Sequence, residues 1–444
     1  LLATPSAGAD QNCRQVILQR LSTGGVLDLL GSDRGKEIAL TPPLTSDHLI
    51  RTKVLPLWID VPACPDREKL RRRLAEAIAE YSAQYEAYIQ RNLARAPEGL
   101  PALDRMPRVL LMPGIGVACT GRNLREARIA RDITAHTLAV KAQVAAMGAY
   151  QGLPEAELFE MEYRGFQQAK LKLHPELPLA SHVALVTGAA GAIGSAIAEA
   201  LLEQGCQVAI TDLPGENLDC LSKELASAFP DRVLGTPMDV TDPESVKRAY
   251  ETVIDEWGGV DLVILNAGVA LVSPLAEMRL EDFRRLERIN VEGSLLVLGE
   301  SARLFRVQGT GGDIVLISTK NVFAPGARFG AYSATKAAAH QLARIASLEL
   351  AEFGVRVNMV APDAVFSHRE RRSGLWQEVG PDRMRARGLS DAGLEEYYQN
   401  RTLLKVKVTA RHVARAVLFF ATRQTPTTGA TIPVDGGLPD ATPR

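Results

Sequence analysis

The sequence predicts an α/β protein: a Rossmann-type doubly wound parallel sheet, preceded by a smaller, partial α/β domain. Three observations predict it. A glycine-rich strand-to-helix turn runs through Gly188, Gly191 and Gly194, an acid at Asp212 closes the next strand, and Tyr332 and Lys336 stand one helical turn apart.

Val183 to Val186 is an unbroken apolar run, as a strand buried on both faces requires. The three glycines follow, with Ala192 and Ile193 between the last two, and then a helical segment from Ser195 to Gln204. Glycines there permit a tight turn, close approach of the backbone to a pyrophosphate, and close packing of helix on strand. The helix N-terminus turns free N–H groups towards the phosphates. A second apolar strand, Gln207 to Thr211, ends at Asp212, about 20 residues beyond the turn, as a dinucleotide fingerprint expects. A carboxylate there accepts from the adenosine ribose hydroxyls and repels a 2′-phosphate, so the expected cofactor is NAD rather than NADP.

On a helix, the spacing of Tyr332 and Lys336 sets the phenol and the ammonium on one face. A free tyrosine, with a pKa of about 10, is a poor proton shuttle near neutral pH. A neighbouring cation favours the phenolate and is expected to draw the pKa into the working range. The same spacing is common on surface helices. It gains weight here from the glycine-rich turn upstream, at the distance one doubly wound domain requires.

Further motifs follow in order: Asp239-Val240, Asn266-Ala267-Gly268, Asn290, a strand ending in Ser318-Thr319, and Val434-Asp435-Gly436-Gly437. With these, residues 180 to 437 resemble a short-chain dehydrogenase/reductase. The resemblance implies that Asp239 and Val240 border the adenine pocket, and that Asn266, Ala267 and Gly268 stabilise the central sheet beside the cofactor. It implies that Asn290 ties a water into a proton relay, that Tyr332 is the general acid/base, and that Lys336 grips the nicotinamide ribose and lowers the tyrosine pKa. Three departures stand out. The commonest family turn has its middle glycine one place later, where this chain has Ala192. The family's catalytic serine is replaced by Thr319, 13 residues before Tyr332, with Ser318 beside it, so either hydroxyl is a candidate donor to the substrate oxygen. The usual Pro-Gly is Pro362-Asp363, which sets a carboxylate near the nicotinamide pocket.

Ahead of this domain, residues 15 to 30 read as helical, Lys53 to Val61 as a short strand, and Arg67 to Leu93 as a long helix. Arg108 to Met112 reads as a strand, the glycines of Pro113-Gly-Ile-Gly116 as a strand-to-helix turn, and Leu124 to Tyr150 as a helix. The segments Ser46–Lys53, Pro113–Gly116, Leu158–Tyr163 and Gln168–Leu171 resemble the C-terminal portion of the class II aldolase module in bifunctional aldolase/short-chain dehydrogenases. That resemblance implies a rhamnulose-1-phosphate aldolase-like half and a second half oxidising the lactaldehyde it releases. The prolines of segment 173–181 divide the two, giving domains over 1–175 and 181–444. An aldolase of this class needs a zinc ion held by several histidines. Only His48, His136 and His174 precede the boundary, far apart in sequence, and the family's metal-binding region would fall upstream of Leu1. No metal site and no aldolase activity are therefore expected of the chain as given.

The segment Phe366 to Leu404, where this fold places its substrate lid, carries His368, Arg369, Arg371, Arg372, Arg383, Arg385 and Arg387. These arginines hold an anionic group of the substrate, or they belong to a solvated mobile loop. Trp376 and Tyr397 are the candidates to close over the substrate.

Composition sets the outer limits. With 444 residues, 46% of them hydrophobic, the chain supports more than one core. A net charge of −1 gives no general attraction to nucleic acid or to a membrane surface. Five cysteines show neither zinc spacing nor a disulfide framework. No membrane span and no signal peptide are legible, so a soluble cytoplasmic protein is expected, and the resemblance implies a homo-oligomer.

Overall fold

The computed structural model describes residues 3–5, 13–60, 66–96, 104–171 and 177–438. The chain divides into two compact units, Leu1–Glu176 with Asp255–Gly258, and Leu177–Ile254 with Gly259–Arg444.

The first unit contains β1 (Ile17–Leu21), α1 (Gly24–Gly31), β2 (Leu57–Trp58), α2 (Arg67–Asn92), β3 (Val109–Met112), β4 (Gly116–Gly121), α3 (Leu124–Met147) and α4 (Glu155–Tyr163). Its strands form a mixed sheet in the order β1-β4-β3-β2. Successive β3 side chains serve opposite faces: Val109 and Leu111 pack with Leu30 and Leu138, and Leu110 packs with Ile59 and Phe159. Both long helices start at side-chain caps. Asp66 accepts from the backbone N–H groups of Glu68 and Lys69, and Asn123 from that of Glu126.

Three expectations are corrected here. The stretch read as helical from residue 15 begins as strand β1, in which Ile17, Gln19 and Leu21 are buried and Arg20 is exposed, a period of two rather than 3.6. The glycines after β3 make a hairpin, since β4 follows and pairs antiparallel with β3, so no helix N-terminus waits there for a nucleotide. Of the strand expected over Lys53 to Val61, only Leu57–Trp58 pairs among the described residues, and Val61 lies outside them. His174 and much of the expected inter-domain segment lie outside the described residues.

The second unit is built on seven parallel strands: β5 (Val183–Thr187), β6 (Gln207–Asp212), β7 (Val233–Pro237), β8 (Leu262–Leu265), β9 (Gly312–Ile317), β10 (Val355–Pro362) and β11 (Thr431–Val434). Their order is β11-β10-β9-β8-β5-β6-β7, all pairs parallel. The chain reverses direction across the sheet between β5 and β8, and such a switch point opens a crevice at the carboxyl ends of the strands. The crossover helices that matter below are α5 (Ala192–Glu203) after β5, α6 (Glu216–Ala228) after β6, and α7 (Gly330–Glu349) after β9. Two more, α8 (Gly374–Arg387) and α9 (Asp391–Asn400), follow a small hairpin, Ser367–His368 with Arg371–Arg372. The lid segment is therefore ordered into helices rather than a solvated loop. Its hairpin is fastened below by His368 to Glu199 at 3.0 Å and Arg371 to Glu224 at 2.6 Å.

Candidate active site

A cleft of about 1360 Å³ lies at the carboxyl ends of the strands in the second unit. The cofactor-side residues named from sequence line it: Gly188, Gly191, Ala192 and Ile193 after β5, Asp212 after β6, Asp239 and Val240 after β7, and Asn266, Ala267 and Gly268 after β8. Pro362, at the end of β10, lines it as well. Gly194 does not; it is the packing glycine. A Cβ there would lie 2.4 Å from the Gly188 carbonyl oxygen, and one on Gly188, whose φ is +60°, would lie 2.8 Å from the Ala267 Cα.

This end suits a dinucleotide. Gly191 caps α5 without a side chain, and the space before it is open, its nearest non-neighbour atom lying 3.5 Å from an added Cβ. The helix start is thus bare to an anion. Asp212 accepts from the Ala190 N–H at 2.9 Å and from the Leu213 N–H at 2.8 Å, which fixes its carboxylate at the wall of the cleft beside the glycine turn. Asn266 ties β8 to β5, donating to the carbonyls of Thr187 at 3.0 Å and Gly188 at 2.8 Å.

Towards the centre of the sheet, α7 presents Tyr332 and Lys336, both buried and both lining the cleft. Lys336 Nζ donates to the Ile317 carbonyl at 3.2 Å. Asn290 sits in a π-helical turn, Arg288–Glu292, a distortion that recurs at functional sites. Its side chain accepts from the Val269 N–H and donates to the Val269 carbonyl, both at 2.9 Å, and to the Thr335 hydroxyl at 3.0 Å. Asn290 and Lys336 meet over Gly268, where an added Cβ would lie 2.9 Å from Nζ and 3.1 Å from Oδ1. Asn290 stands behind the cleft wall rather than in it.

The two hydroxyls left open by the sequence separate. The Thr319 hydroxyl lies close enough to the Tyr332 phenol to lower its pKa, and its Oγ1 accepts from the Asn321 N–H at 3.3 Å. Ser318 turns away, its Oγ 2.9 Å from His340 Nδ1, and His340 Nε2 reaches Thr431 Oγ1 at 3.4 Å.

The protonation expected for Tyr332 is corrected. Burial pushes the phenol up to about 12, with the Thr319 hydroxyl pulling weakly the other way. Burial also brings the Lys336 ammonium down to about 8. Burial leads both shifts, and the Lys336 ammonium donates to the Ile317 carbonyl rather than to the phenol.

At the far end, Asp363 pairs with Arg401, whose guanidinium lies 4.2 Å above the Tyr398 ring. Trp376 stacks on Phe366 at 4.5 Å and meets Tyr398 edge-on at 4.9 Å. Of the two candidates to close over the substrate, Trp376 lines the cleft, whereas Tyr397 is 39% exposed and does not; its neighbour Tyr398, 5% exposed, does. Which of Tyr397 and Tyr398 turns inward is set by the phase of α9, which depends on where that helix packs. Sequence reasoning also missed Phe329, Lys320 and Arg401 as lining residues. For Lys320 the signal was there: it directly follows Ser318-Thr319.

In the first unit, no group of three or more His, Cys, Asp or Glu side chains among the described residues could hold a metal ion. The fold does bring two of the separated histidines together, His48 and His136, with ring centroids 6.1 Å apart. His48 approaches the Thr137 hydroxyl at 3.4 Å.

Comparison with known proteins agrees with the geometry. A family model described as short chain dehydrogenase matches residues 182–378, and one described as the second domain of class II aldolases matches residues 3–171. A sorbitol dehydrogenase of Cereibacter sphaeroides is 36% identical over 182 residues, which is 41% of this chain and 70% of that protein. A glucose 1-dehydrogenase of Gluconobacter oxydans is 31% identical over 57% of this chain and 90% of its own length. The chain belongs to the short-chain dehydrogenase family. An uncharacterized oxidoreductase of Bacillus subtilis, YuxG, is 34% identical over 98% of this short-chain dehydrogenase, which spans 63% of YuxG's length. The crystal structure of sorbitol-6-phosphate 2-dehydrogenase SrlD from Erwinia amylovora superposes with a TM-score of 0.53 at 29% identity, covering 57% of this chain and 98% of that one. The chain thus carries a short-chain dehydrogenase domain, of a family that binds nicotinamide dinucleotides, and ahead of it a stretch that matches the second domain of class II aldolases. Among the described residues, no helix is long and apolar enough to cross a membrane.

Proposed function

We propose that this dehydrogenase transfers hydride between NAD and a CH–OH group of a small polyol, or of a hydrated aldehyde such as lactaldehyde. The convergence of Tyr332, Thr319 and Lys336 at the sheet centre carries the reading, with Asp212 supporting NAD over NADP. The polyol class is supported by the names of the sorbitol and glucose dehydrogenases among the relatives. When bound, the nicotinamide supplies the hydride acceptor. The chain's own residues handle the proton. Thr319 donates to the substrate oxygen, and Tyr332 takes the hydroxyl proton in oxidation or returns it in reduction. A phenol pushed up to about 12 is held as the neutral acid at neutral pH and releases its proton less easily than a free tyrosine, so the Lys336 ammonium has to offset the phenolate formed in oxidation. Asn290, held behind the wall by Val269 and Thr335, keeps Lys336 in place beside Gly268. An aldehyde enters as its hydrate, which has the hydroxyl that this chemistry requires.

The test is NADH formation by absorbance, with NAD or NADP, across lactaldehyde, short diols and sugar alcohols. Turnover with NAD on one of these classes is the expected result. Binding of NADH without turnover of any of them would overturn the reading.

A further inference from the structure

Most cations of the lid segment have carboxylate partners: Arg371 has Glu224, Arg372 has Asp391, Arg401 has Asp363 and Arg385 has Asp382. Arg383 does not. It is 8% exposed, and among the described residues no carboxylate oxygen lies within 4 Å of it. Its contacts are weak: Nε and Nη2 approach the Tyr398 hydroxyl at 3.4 and 3.3 Å, and the guanidinium lies 4.6 Å from the Phe329 ring centroid. Phe329 in turn lies 6.1 Å from the Tyr332 ring, so Arg383 is one ring removed from the catalytic phenol. Lys320 shares this wall, with Nζ on the Ala324 carbonyl at 2.9 Å. The facing acids are Asp363, already paired with Arg401, and Asp435, which accepts from the Gly437 N–H at 2.9 Å and lies within electrostatic reach of Lys320.

A buried guanidinium without a counter-ion is costly, and that cost is recovered when an anion enters. From Arg383's burial in the cleft, its weak neutral contacts and its place beside Phe329, we infer that the substrate carries an anionic group, a carboxylate or a phosphate ester, which Arg383 receives with two N–H donors. The inference rests on the proposed hydride transfer and moves its substrate from the neutral polyols and lactaldehyde to acids or phosphate esters of such small alcohols. The fork binds the anion while Thr319 and Tyr332 hold the reacting oxygen, so the compound is short, with hydroxyl and anion a few bonds apart. Oxidation of a hydrated aldehyde also delivers a carboxylate to this same wall.

The experiment uses the whole chain at saturating NAD. Oxalate and inorganic phosphate are tested as inhibitors of diol oxidation, and matched pairs as substrates: lactate against propane-1,2-diol, and glycerol 3-phosphate against glycerol. At least one anion is expected to compete with the diol, and Arg383→Met to weaken that competition about 10- to 100-fold. Arg383→Lys, which keeps the charge and loses the fork, is expected to recover part of it, an anion-specific response that a purely structural role would not give. Oxalate acting alone points to carboxylates, and phosphate alone to phosphate esters. The inference is overturned if neither anion competes, or if Arg383→Met leaves competition unchanged. If no diol is oxidised, the proposed function fails separately. The same anions are then titrated against the tryptophan fluorescence, with Trp376→Phe to assign the signal, Arg383→Met as control and the same two outcomes deciding.

Discussion

Each unit of this protein buries a lysine against a tyrosine, and only one of the two pairs sits at a cleft built for chemistry. In the first unit, Lys53 Nζ lies 4.0 Å from the centroid of the Tyr85 ring and donates to the Asp104 carbonyl. Tyr85 and Tyr88 donate to the buried Glu162 at 2.6 and 3.1 Å. In the second unit, Lys336 stands one turn from Tyr332. Burial brings both lysines to about 8 and pushes both Tyr85 and Tyr332 upward. Titration therefore does not tell them apart. What differs is the surroundings: the Tyr85 hydroxyl is committed to a carboxylate inside a packed core, whereas Tyr332 faces a cleft large enough for a dinucleotide and a substrate. A perturbed pKa marks burial; access makes it a site.

The sharpest way to break this comparison is to remove each phenol. Tyr332→Phe is expected to lower turnover by about 10²- to 10⁴-fold, the worth of a positioned acid/base, while NADH binding, followed by fluorescence, stays near that of the parent. Tyr85→Phe should leave turnover intact and cost about 1–3 kcal/mol in urea unfolding, because a buried carboxyl oxygen loses its donor. Loss of NADH binding in the first variant would make Tyr332 structural, and the contrast would fail.

A smaller effect sharpens the site itself. Thr319→Val removes the hydroxyl beside Tyr332 and keeps the shape; a fall in kcat of about 10- to 100-fold is expected. Ser318→Ala breaks only the contact with His340 and should change kcat by less than about threefold. Equal losses in the two would return the substrate contact to the pair as a whole.

The smallest effect lies in pH dependence. Lys53 and Lys336 titrate near 8 in the fold, below their ordinary value of 10.5. Between those values the unfolded chain binds more protons, so these groups add stability as pH rises through the interval. The buried thiols of Cys119 and Cys206, raised above their ordinary 9.0, act in the opposite sense at higher pH, which confines the clean window to pH 8 to 9. Stability by urea titration is expected to rise across that window, with a shallower slope in Lys53→Met and in Lys336→Met alike. A difference in kind between the two variants would show that the pair in the second unit is electrostatically special after all.

Much of the second unit was legible because its signals are local. An apolar run, a glycine turn and an acid follow one another in sequence, and each dictates the backbone of its own few residues, so Val183–Thr187, Ala192–Glu203 and Gln207–Asp212 fall close to where the pattern sets them. The first unit was harder. Ile17 to Leu21 carries apolar residues at a spacing too short to separate strand from helix, and its pairing partner, β4, is some 100 residues away in sequence. The glycines after β3 read as a helix-bound turn because the strand that follows them, Gly116–Gly121, has little β-branched character to announce it.

By itself, then, the sequence determined the parallel-sheet class, the glycine turn, the acid that closes β6 and the positions of Tyr332, Lys336 and Asn290. These depend on side-chain type and short spacing, which the chain carries along its length. Only the tertiary structure decided that Ser318 turns to His340 and leaves Thr319 beside the phenol, that Tyr398 and not Tyr397 lines the cleft, and that among the described residues Arg383 is buried there without a carboxylate partner. Each of these turns on the direction of a side chain or on the absence of a partner. Both are set by how separate elements pack, through contacts that no local pattern encodes.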